Sequence, residues 1–257
     1  MGVITFMSDF GTTDHYVAAV KAAIISKSAG QAIVDLTHDI RPYDIAHAAN
    51  VLTDVYKDFP ENSVHLVAVD TMRERSRLIA LFLDGHYFVG FDSGLFSLIS
   101  KSKPTKIVEL KRIESVFPAK EVLSEAALAL AQGKSIEKLG ESLNSILELY
   151  PRQLKVTKRE IAGNVITVDH YGNLITNIQK ADVTKILEIN GNGTSHTIRF
   201  GREAFEDFHE YFTDVESGDC FVLFNSLGNL QIGINKGNAS ELLGLGVDAP
   251  VIIEFNS

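Results

Sequence analysis

Short apolar runs alternate with amphipathic segments through the first half of the chain. Apolar runs of strand length begin at Val3, Ala32 and Val64. Apolar positions at helical spacing follow the first two runs, in residues 17–25 and 45–55. Strand, helix and strand in this order predict a parallel sheet with right-handed crossovers. The pattern further predicts a hairpin around Asp84-Gly85, a strand at residues 106–110 and a helix at residues 120–133.

The pattern changes after residue 133. It first weakens around Pro151 and then becomes a series of short strands with little helical period. Two strand pairs are predicted to turn at residues 171–173 and at residues 190–193, because both places are rich in Gly and Asn. Further strands are predicted at residues 219–224, 230–234 and 251–255.

These patterns predict a protein of two domains. Residues 1–150 are expected to form an α/β domain with a largely parallel sheet. Residues 160–257 are expected to form a small all-β domain, either an antiparallel barrel or a sandwich. A chain of 257 residues with 45% hydrophobic residues is long enough for two such domains, each with its own core.

Polar residues stand where three of the predicted strands end. Asp9, His38 and Asp70 occupy these positions. Ligands of open α/β sheets bind beyond the carboxyl ends of the strands, so Asp9 is well placed to accept hydrogen bonds from a pair of sugar hydroxyls. The alternative is that Asp9 only caps or stiffens its turn and that His38 is structural.

Composition and charge narrow the classes of function. The formal net charge of -9 argues against a general nucleic-acid binder. The single Cys, Cys220, excludes an internal disulfide and is compatible with a reducing cytoplasm. No apolar run approaches the roughly 18 residues that a membrane span requires. The sequence therefore predicts a cytoplasmic protein without nucleic-acid or membrane partners.

Six stretches of the chain resemble the S-adenosyl-L-methionine (SAM) hydroxide adenosyltransferases, the SAM hydrolases related to fluorinase and chlorinase. They occur in the family's order from Val3 to Ala239. The stretches are SDFGTTDHYVAAVK, VDLTHDIRPYDIAHAA, VHLVAVD with the downstream Arg77, YFVGFDSGLFSLI, VITVDHYGNLITNI and NSLGNLQIGINKGNA. The resemblance implies hydrolysis of SAM to adenosine and L-methionine, with SAM as substrate and no cofactor.

For the first domain, the resemblance implies roles for four residues. Asp9 would bind the ribose hydroxyls and Tyr43 would lie against the ligand. Asp70 and Arg77 match two members of the family's catalytic Asp, Arg and His set, in which the Arg would keep the Asp charged and the pair would orient water. The alternative for Asp70 and Arg77 is a salt bridge that steadies a loop.

For the second domain, the resemblance implies contacts with the rest of SAM. Asp169 would hold the methionine ammonium, and Ser226 its carboxylate. The adenosine would be lined by Tyr171 and Asn173, with the backbone at Asn238 and Ala239 meeting the adenine edge. The resemblance also implies a homotrimer in which one chain's N-terminal domain and its neighbour's C-terminal domain form each site.

The chain departs from the family pattern at three places. The glycine-rich turn Pro-Gly-Val-Gly is replaced by residues 71–74, so Arg73 or Arg75 could act in place of Arg77. The position of the family's catalytic His is occupied by Pro118, which can act neither as acid nor as base. The Asn of a Pro-Asp-Asn-Gly motif is replaced by Ser93.

Three functional hypotheses follow from the resemblance and from these departures taken together. The first is SAM hydrolysis, slowed by the missing His. The second is a SAM or adenosine binder without catalysis, for example a sensor. The third is a SAM transferase that uses a halide, which requires a small dry pocket for the anion.

The histidines and the single cysteine do not predict a metal site. Zinc ligands come in close pairs such as His-x-x-x-His, and no such pair or Cys pair is present. Turn or surface positions are predicted for His15, His47, His86 and His170.

Overall fold

The structure of the chain, a computed structural model, describes residues 2–71, 77–111, 114–191 and 193–256. It divides into two compact units, residues 1–151 and residues 152–257. Within the described residues, no helix has both the length and the apolar character needed to cross a membrane.

The first unit contains one β-sheet flanked by helices. Its strands are β1 (Ile4–Ser8), β2 (Ile33–Thr37), β3 (Val64–Ala68), β4 (Leu78–Leu83), β5 (His86–Phe91), β6 (Lys106–Leu110) and β7 (Gly140–Ser142). Its helices are α1 (Tyr16–Ile25), α2 (Ile45–Val55), α3 (Leu95–Leu98) and α4 (Ser124–Ala131). A π-helical turn at Ala119–Leu123 precedes α4, and 3₁₀ turns lie at Tyr56–Asp58 and Ile136–Lys138.

The sheet of the first unit is mixed, with strand order β2-β1-β3-β5-β4-β6-β7. Neighbouring strands are parallel from β2 to β5 and antiparallel from β5 to β7. The prediction of a largely parallel sheet was therefore too broad. The hairpin at Asp84-Gly85 reverses the chain, and β4 and the strands beyond it pair in antiparallel fashion. The four parallel strands all end at one edge of the sheet.

Helices cover both faces of this sheet. One apolar cluster includes residues of α1 and α4, and the other includes residues of α2 and α3. Helix α2 begins where the Asp44 side chain accepts a hydrogen bond from the His47 N–H at 2.9 Å, and its buried residues include Ala48 and Leu52. The cap fixes the start of this helix directly after Tyr43, at the edge where the parallel strands end.

Two histidines are buried side by side in the sheet. His65 on β3 is fully buried, and His86 on β5 is 4% exposed. A ring nitrogen of His65, Nδ1, lies 2.8 Å from the Thr5 Oγ1, and its Nε2 lies 3.2 Å from the His86 Nδ1. The prediction of a turn or surface position for His86 was wrong, because β5 begins at this residue and buries its ring.

This histidine pair predicts a loss of stability in acid. Burial, with a smaller contribution from His86, lowers the pKa of His65 from 6.5 to about 3. The ring therefore stays neutral in the folded chain, whereas the unfolded chain takes up a proton below pH 6.5. We expect the free energy of unfolding to fall by about 1.4 kcal/mol per pH unit from this group between those two values. Urea unfolding between pH 7 and pH 4 measures the slope.

The variant His65→Gln removes the buried titrating ring and should flatten the pH dependence. The matched control is His170→Gln, which removes an exposed ring and should leave the slope of the wild type. Equal slopes for His65→Gln and the wild type would contradict this account of the acid response.

The second unit is built on one antiparallel sheet. Its strands are β8 (Lys155–Val156), β9 (Glu160–Val168), β10 (Leu174–Gln179), β11 (Ser195–Phe200), β12 (Glu203–Phe205), β13 (Cys220–Phe224), β14 (Asn229–Ile234) and β15 (Pro250–Asn256). Its helices are α5 (Lys180–Asn190) and α6 (Ala239–Leu243), with a 3₁₀ turn at Phe212–Asp214. The strand order is β12-β11-β15-β9-β10-β14-β13, with β8 paired to β9, and the sheet is barrel-like.

The description of this unit as all-β was imprecise. The strand predicted at residues 186–189, before the turn at residues 190–193, was wrong. Residues 180–190 form α5, which buries Val183 and Ile186 in the core of the unit. The helix ends at Gly191, whose φ of +86° suits the left-handed region that glycine adopts freely. Asn192, in the middle of the predicted turn, lies outside the described residues.

Candidate functional site

Acidic and polar side chains gather where the four parallel strands end. His38 follows β2, Asp9 follows β1, Asp70 lies two residues after β3 and Asp92 follows β5. The prediction that the first three share one edge is confirmed by the parallel pairing of β1 with β2 and β3. Asp92 is a fourth member, for which no role was predicted although it also follows a strand end.

Asp9 ties the loops after β2 and β3 to the end of β1. Its Oδ2 accepts a hydrogen bond from the Tyr43 N–H at 3.0 Å and another from the Asp70 N–H at 3.1 Å. Both donors have left-handed backbones, with φ of 65° at Tyr43 and 54° at Asp70. This conformation is unfavourable for residues with a Cβ, so the two bonds to one carboxylate oxygen help to hold it.

The two oxygens of Asp9 are therefore not equivalent. The structural role proposed as the alternative for Asp9 falls to Oδ2, whereas no described residue donates to Oδ1. A carboxylate can accept several hydrogen bonds, so Oδ1 is available to a ligand hydroxyl. Tyr43 lies in the loop whose N–H donates to Asp9, and its side chain is 61% exposed, so a ligand bound at Asp9 could cover the ring.

His38 supports the loop that carries Asp9. Its buried ring places Nδ1 2.8 Å from the Ser8 Oγ and Nε2 3.2 Å from a carboxylate oxygen of Asp35, while its carbonyl accepts the Gly11 N–H at 2.8 Å. Burial raises the pKa of Asp35, but contacts with Lys21 and His38 outweigh it and leave that pKa below its ordinary value. These contacts agree with the structural interpretation of His38.

Arg77 is paired with Asp92 and not with Asp70. Its Nε and Nη2 lie 3.1 and 2.5 Å from the Asp92 Oδ2. Among the described residues, no ion pair joins Asp70 to Arg77, so the Asp70 charge is not held by the contact that the resemblance implied. Arg73 and Arg75, the other candidates, lie outside the described residues, as do residues 72–74 of the altered turn.

The segment around Pro118, to which the resemblance assigned the position of a catalytic His, packs against the loop after β1. Pro118 stands at its start with a helical φ of -58° and leads into the π-helical turn Ala119–Leu123. The ring of the preceding Phe117 lies 5.8 Å from the Phe10 ring and 5.5 Å from the Tyr16 ring. Pro118 therefore directly follows a member of the aromatic cluster of Phe10, Tyr16 and Phe117, which adjoins Asp9. Its side chain has no titratable group.

In the second unit, Asp169 organises the turn between β9 and β10. Its Oδ1 accepts hydrogen bonds from the N–H groups of Tyr171 and Asn173, both at 2.9 Å, and its Oδ2 accepts one from the Asn173 Nδ2 at 2.8 Å. The turn leaves the Tyr171 ring 76% exposed. A carboxylate and an exposed aromatic ring are thereby presented side by side.

The start of α6 packs on the same turn. The Asn238 Oδ1 caps α6 by accepting the Glu241 N–H at 3.1 Å, and the Ser240 N–H donates to the Gly172 carbonyl at 2.9 Å. Asn238 lies so close that a Cβ on Gly172 would come within 2.0 Å of the Asn238 Oδ1. The structure therefore brings together five of the residues assigned to the second domain, namely Asp169, Tyr171, Asn173, Asn238 and Ala239.

Ser226 lies at the other end of the sheet. It belongs to the turn between β13 and β14, and β14 pairs Asn229 with Gln179 but Ile232 with Leu174. The turn of Ser226 is therefore near the end of β10, and the Asp169 turn is near its start. Five residues of extended strand separate the two ends by roughly 17 Å. Within one chain, Ser226 does not join the other five residues.

Among the described residues, no group of three or more His, Cys, Asp or Glu side chains is arranged to hold a metal ion. Burial raises the pKa of the Cys220 thiol to about 12, so this side chain stays protonated. The candidate site thus consists of carboxylates, aromatic rings and backbone groups.

Fold and site together define a class of two-unit protein. A mixed α/β sheet presents carboxylates where its parallel strands end, and a barrel-like β unit presents an Asp, a Tyr and two Asn side chains at one turn and at the start of the helix packed on it. Models of the SAM hydroxide adenosyltransferase N-terminal and C-terminal domains match residues 4–140 and 163–252. The chain belongs to the SAM hydroxide adenosyltransferase family.

Similar proteins support this assignment along the full length. The (R)-S-adenosyl-L-methionine hydrolase of Thermus thermophilus is 31% identical, over 98% of this chain and 99% of that protein. The fluorinase of an Actinoplanes species is 25% identical, over 91% of each chain. The crystal structure of an uncharacterized conserved protein from Thermotoga maritima is 28% identical and covers 98% of this chain and 99% of its own, with a TM-score of 0.88.

Proposed function

We propose that this chain hydrolyses SAM to adenosine and L-methionine through attack of water or hydroxide at the ribose 5′-carbon. The observation that carries the proposal is the Asp9 carboxylate, which holds two loops with Oδ2 and leaves Oδ1 for the ribose diol. Several full-length relatives of this chain are named SAM hydrolases, which supports the same reaction.

The second unit supplies a complementary set of groups for the rest of the substrate. Asp169 has capacity beyond its turn bonds to accept from the methionine ammonium, and Tyr171 offers an exposed ring to the adenosine beside Asn173. We propose a homotrimer in which each site combines the Asp9 edge of one chain with the Asp169 turn of its neighbour. Ser226 would then reach the methionine carboxylate only from a turn remote from Asp169, which makes it the weakest of the proposed contacts.

The chemistry requires little acid catalysis. The sulfonium is already a good leaving group, so the carbon–sulfur bond breaks with its electron pair moving to sulfur as the water oxygen attacks, and the water releases one proton. The protein's contribution is to hold a partly desolvated oxygen in line with that bond. We assign this orientation to Asp70 and to the positive charge of Arg77 at the same edge.

Incubation of the pure protein with SAM, followed by chromatography, tests the reaction. We expect adenosine and methionine to appear together above a control without enzyme. Parallel reactions with fluoride or chloride test the halide alternative. This alternative is tested because two of the similar proteins are named fluorinases. A halogenated nucleoside in place of adenosine would favour that alternative.

One observation favours a binder without catalysis, namely Pro118 at the position of the family's His. A binder should still be stabilised by its ligand. SAM at about 100 times its dissociation constant should raise the free energy of unfolding by about 2.7 kcal/mol. A clear thermal shift without adenosine would establish the binder, whereas the absence of both would remove both proposals.

Restoring the imidazole is expected to accelerate hydrolysis. Pro118 has a helical φ that any L-residue adopts, so Pro118→His should be accommodated in the fold. A positioned acid or base typically contributes about a hundredfold or more to a rate, and we expect at least a tenfold rise in kcat for adenosine formation.

The control for this gain is Val116→His, which places an imidazole on a fully exposed position two residues earlier. Its kcat should equal that of the wild type. A Pro118→His variant that keeps the wild-type melting temperature but gains no activity would show that the family's role for this position does not extend to this chain.

A further inference from the structure

Asp92 has both carboxylate oxygens engaged, and the two engage different parts of the chain. Its Oδ2 receives the Arg77 guanidinium, and its Oδ1 accepts the Leu147 N–H at 2.8 Å. Its side chain is 5% exposed, against 39% for Arg77. The acid is therefore the fixed partner of this pair and the guanidinium reaches out from it toward solvent.

The β4–β5 hairpin brings the two residues together. Leu78 at the start of β4 faces Phe91 at the end of β5, so Arg77 and Asp92 come next to each other at its open end. The Asp92 N–H also donates to the Arg77 carbonyl at 2.9 Å. Because β5 is the parallel neighbour of β3, this open end lies at the same edge of the sheet as Asp70.

The segment whose Leu147 N–H donates to Asp92 is itself docked on α3 and on Gly94, the residue before that helix. The Leu149 N–H donates to the Ser97 Oγ at 2.8 Å. Gly94, with φ of +93°, leaves no room for a Cβ, which would lie 2.5 Å from the Leu149 Cγ. Residues 147–149 are thus bound by two N–H donors and one close side-chain contact, just before the first unit ends at residue 151.

We propose that Asp92 is a positioning residue for the SAM reaction, acting through Arg77, and that the docking of residues 147–149 contributes to this positioning. A buried carboxylate needs a paired cation, so it selects one place for the guanidinium among those that the exposed side chain could reach. The Leu147 N–H fixes the rotation of the carboxylate and thereby the direction in which the guanidinium is held. This inference rests on the proposed function, in which Arg77 orients the nucleophile.

The side-chain Nε–H resonance of Arg77 in ¹⁵N NMR tests the positioning without any activity. It is assigned by its loss in Arg77→Lys. Asp92→Asn keeps an oxygen for the Leu147 N–H but removes the charge, and we expect the resonance to shift and to exchange faster with solvent. Leu147→Pro, which removes the N–H, should also shift it. Glu148→Pro is the matched control, because the Glu148 N–H makes no hydrogen bond to a described residue.

Kinetics then separate action through Arg77 from a merely structural role. A misplaced catalytic group can lower a rate about a hundredfold, and we expect kcat to fall by about this factor in both Asp92→Asn and Arg77→Gln, with a smaller change in KM. The double variant should fall no further than Arg77→Gln alone. Glu254→Gln breaks a surface ion pair with Arg199 in the second unit, and it should change neither kcat nor the Arg77 resonance.

If the losses of kcat from Asp92→Asn and Arg77→Gln multiply in the double variant, the positioning role is overturned. An Arg77 resonance that is unchanged in Asp92→Asn would overturn it as well. If Asp92→Asn does not fold, the comparison of Leu147→Pro with Glu148→Pro is used instead. A shift of the Arg77 resonance in the first variant but not in the second supports the positioning role, and no difference between them contradicts it. A wild type that forms no adenosine contradicts the proposed function, and the resonance still decides whether Asp92 and residues 147–149 position Arg77.

Discussion

Asp9→Ala is expected to damage both stability and substrate binding. Removal of the carboxylate leaves the N–H groups of Tyr43 and Asp70 without their acceptor while both residues remain in the left-handed region. The Asp70 N–H is partly buried, and such a group left unsatisfied costs about 1–3 kcal/mol, whereas the exposed Tyr43 N–H can bond to water instead. We therefore expect a loss of about 1–3 kcal/mol in the free energy of unfolding. Urea unfolding of the pure variant measures this loss.

Asp9→Asn separates the two roles of this residue. The Asn oxygen can still accept from both N–H groups, so the free energy of unfolding should stay within about 1 kcal/mol of the wild type. The other side of the amide, however, becomes a donor where the ribose diol needs an acceptor. A hydrogen bond to a charged group contributes about 1.5–3 kcal/mol, so affinity for SAM should fall about tenfold to a hundredfold. Wild-type affinity in Asp9→Asn would leave Asp9 with a structural role alone.

The strand-end acids show what could be predicted from the sequence. Asp9 and Asp70 each follow a short apolar run, and the helical period after the first run predicts the parallel arrangement that brings them to one edge. Asp92 follows a strand end in the same way. Its place at this edge depends on β5 entering the sheet between β3 and β4, an order that no local pattern encodes.

The ion-pair partner of Arg77 is a second feature that depends on non-local structure and not on the local sequence. The spacing of seven residues between Asp70 and Arg77 along the chain says nothing about the distance between their side chains. The hairpin at Asp84-Gly85 brings the Arg instead to the residue across the ladder, Asp92. Predicting that contact would require the register of the hairpin, which is fixed by packing on both of its neighbouring strands.

In the second half, local turn chemistry allowed two answers. Gly191 and its neighbours suit the tight turn of a hairpin, but glycine is equally suited to the end of a helix. Burial of Val183 and Ile186 one helical turn apart favours the helix, but the hairpin prediction began at residue 186 and so did not include Val183. The Asp169 turn was predicted correctly because its Gly172 is flanked by two alternating apolar strands.

Gly172→Ala is expected to disrupt the second unit and its half of the site together. The backbone here has φ of +83°, which costs about 1–2 kcal/mol for a residue with a Cβ. The new methyl carbon would also lie 2.0 Å from the Asn238 Oδ1, so the cap of α6 would have to move. Overpacking adds about 1–3 kcal/mol, for a total loss of about 3 kcal/mol in the free energy of unfolding. Thermal unfolding and SAM binding measure the two consequences.

Gly218→Ala provides the matched control for the backbone strain. Its φ of +97° is equally unfavourable for alanine, but nothing lies within 4 Å of the new Cβ. This variant should lose only the conformational part, about 1–2 kcal/mol, and should keep its affinity for SAM. The difference between the two variants then isolates the contact between Gly172 and Asn238. Equal losses of stability, with SAM affinity retained in both, would mean that Asn238 yields without consequence and that the turn and α6 do not act as one ligand-binding surface.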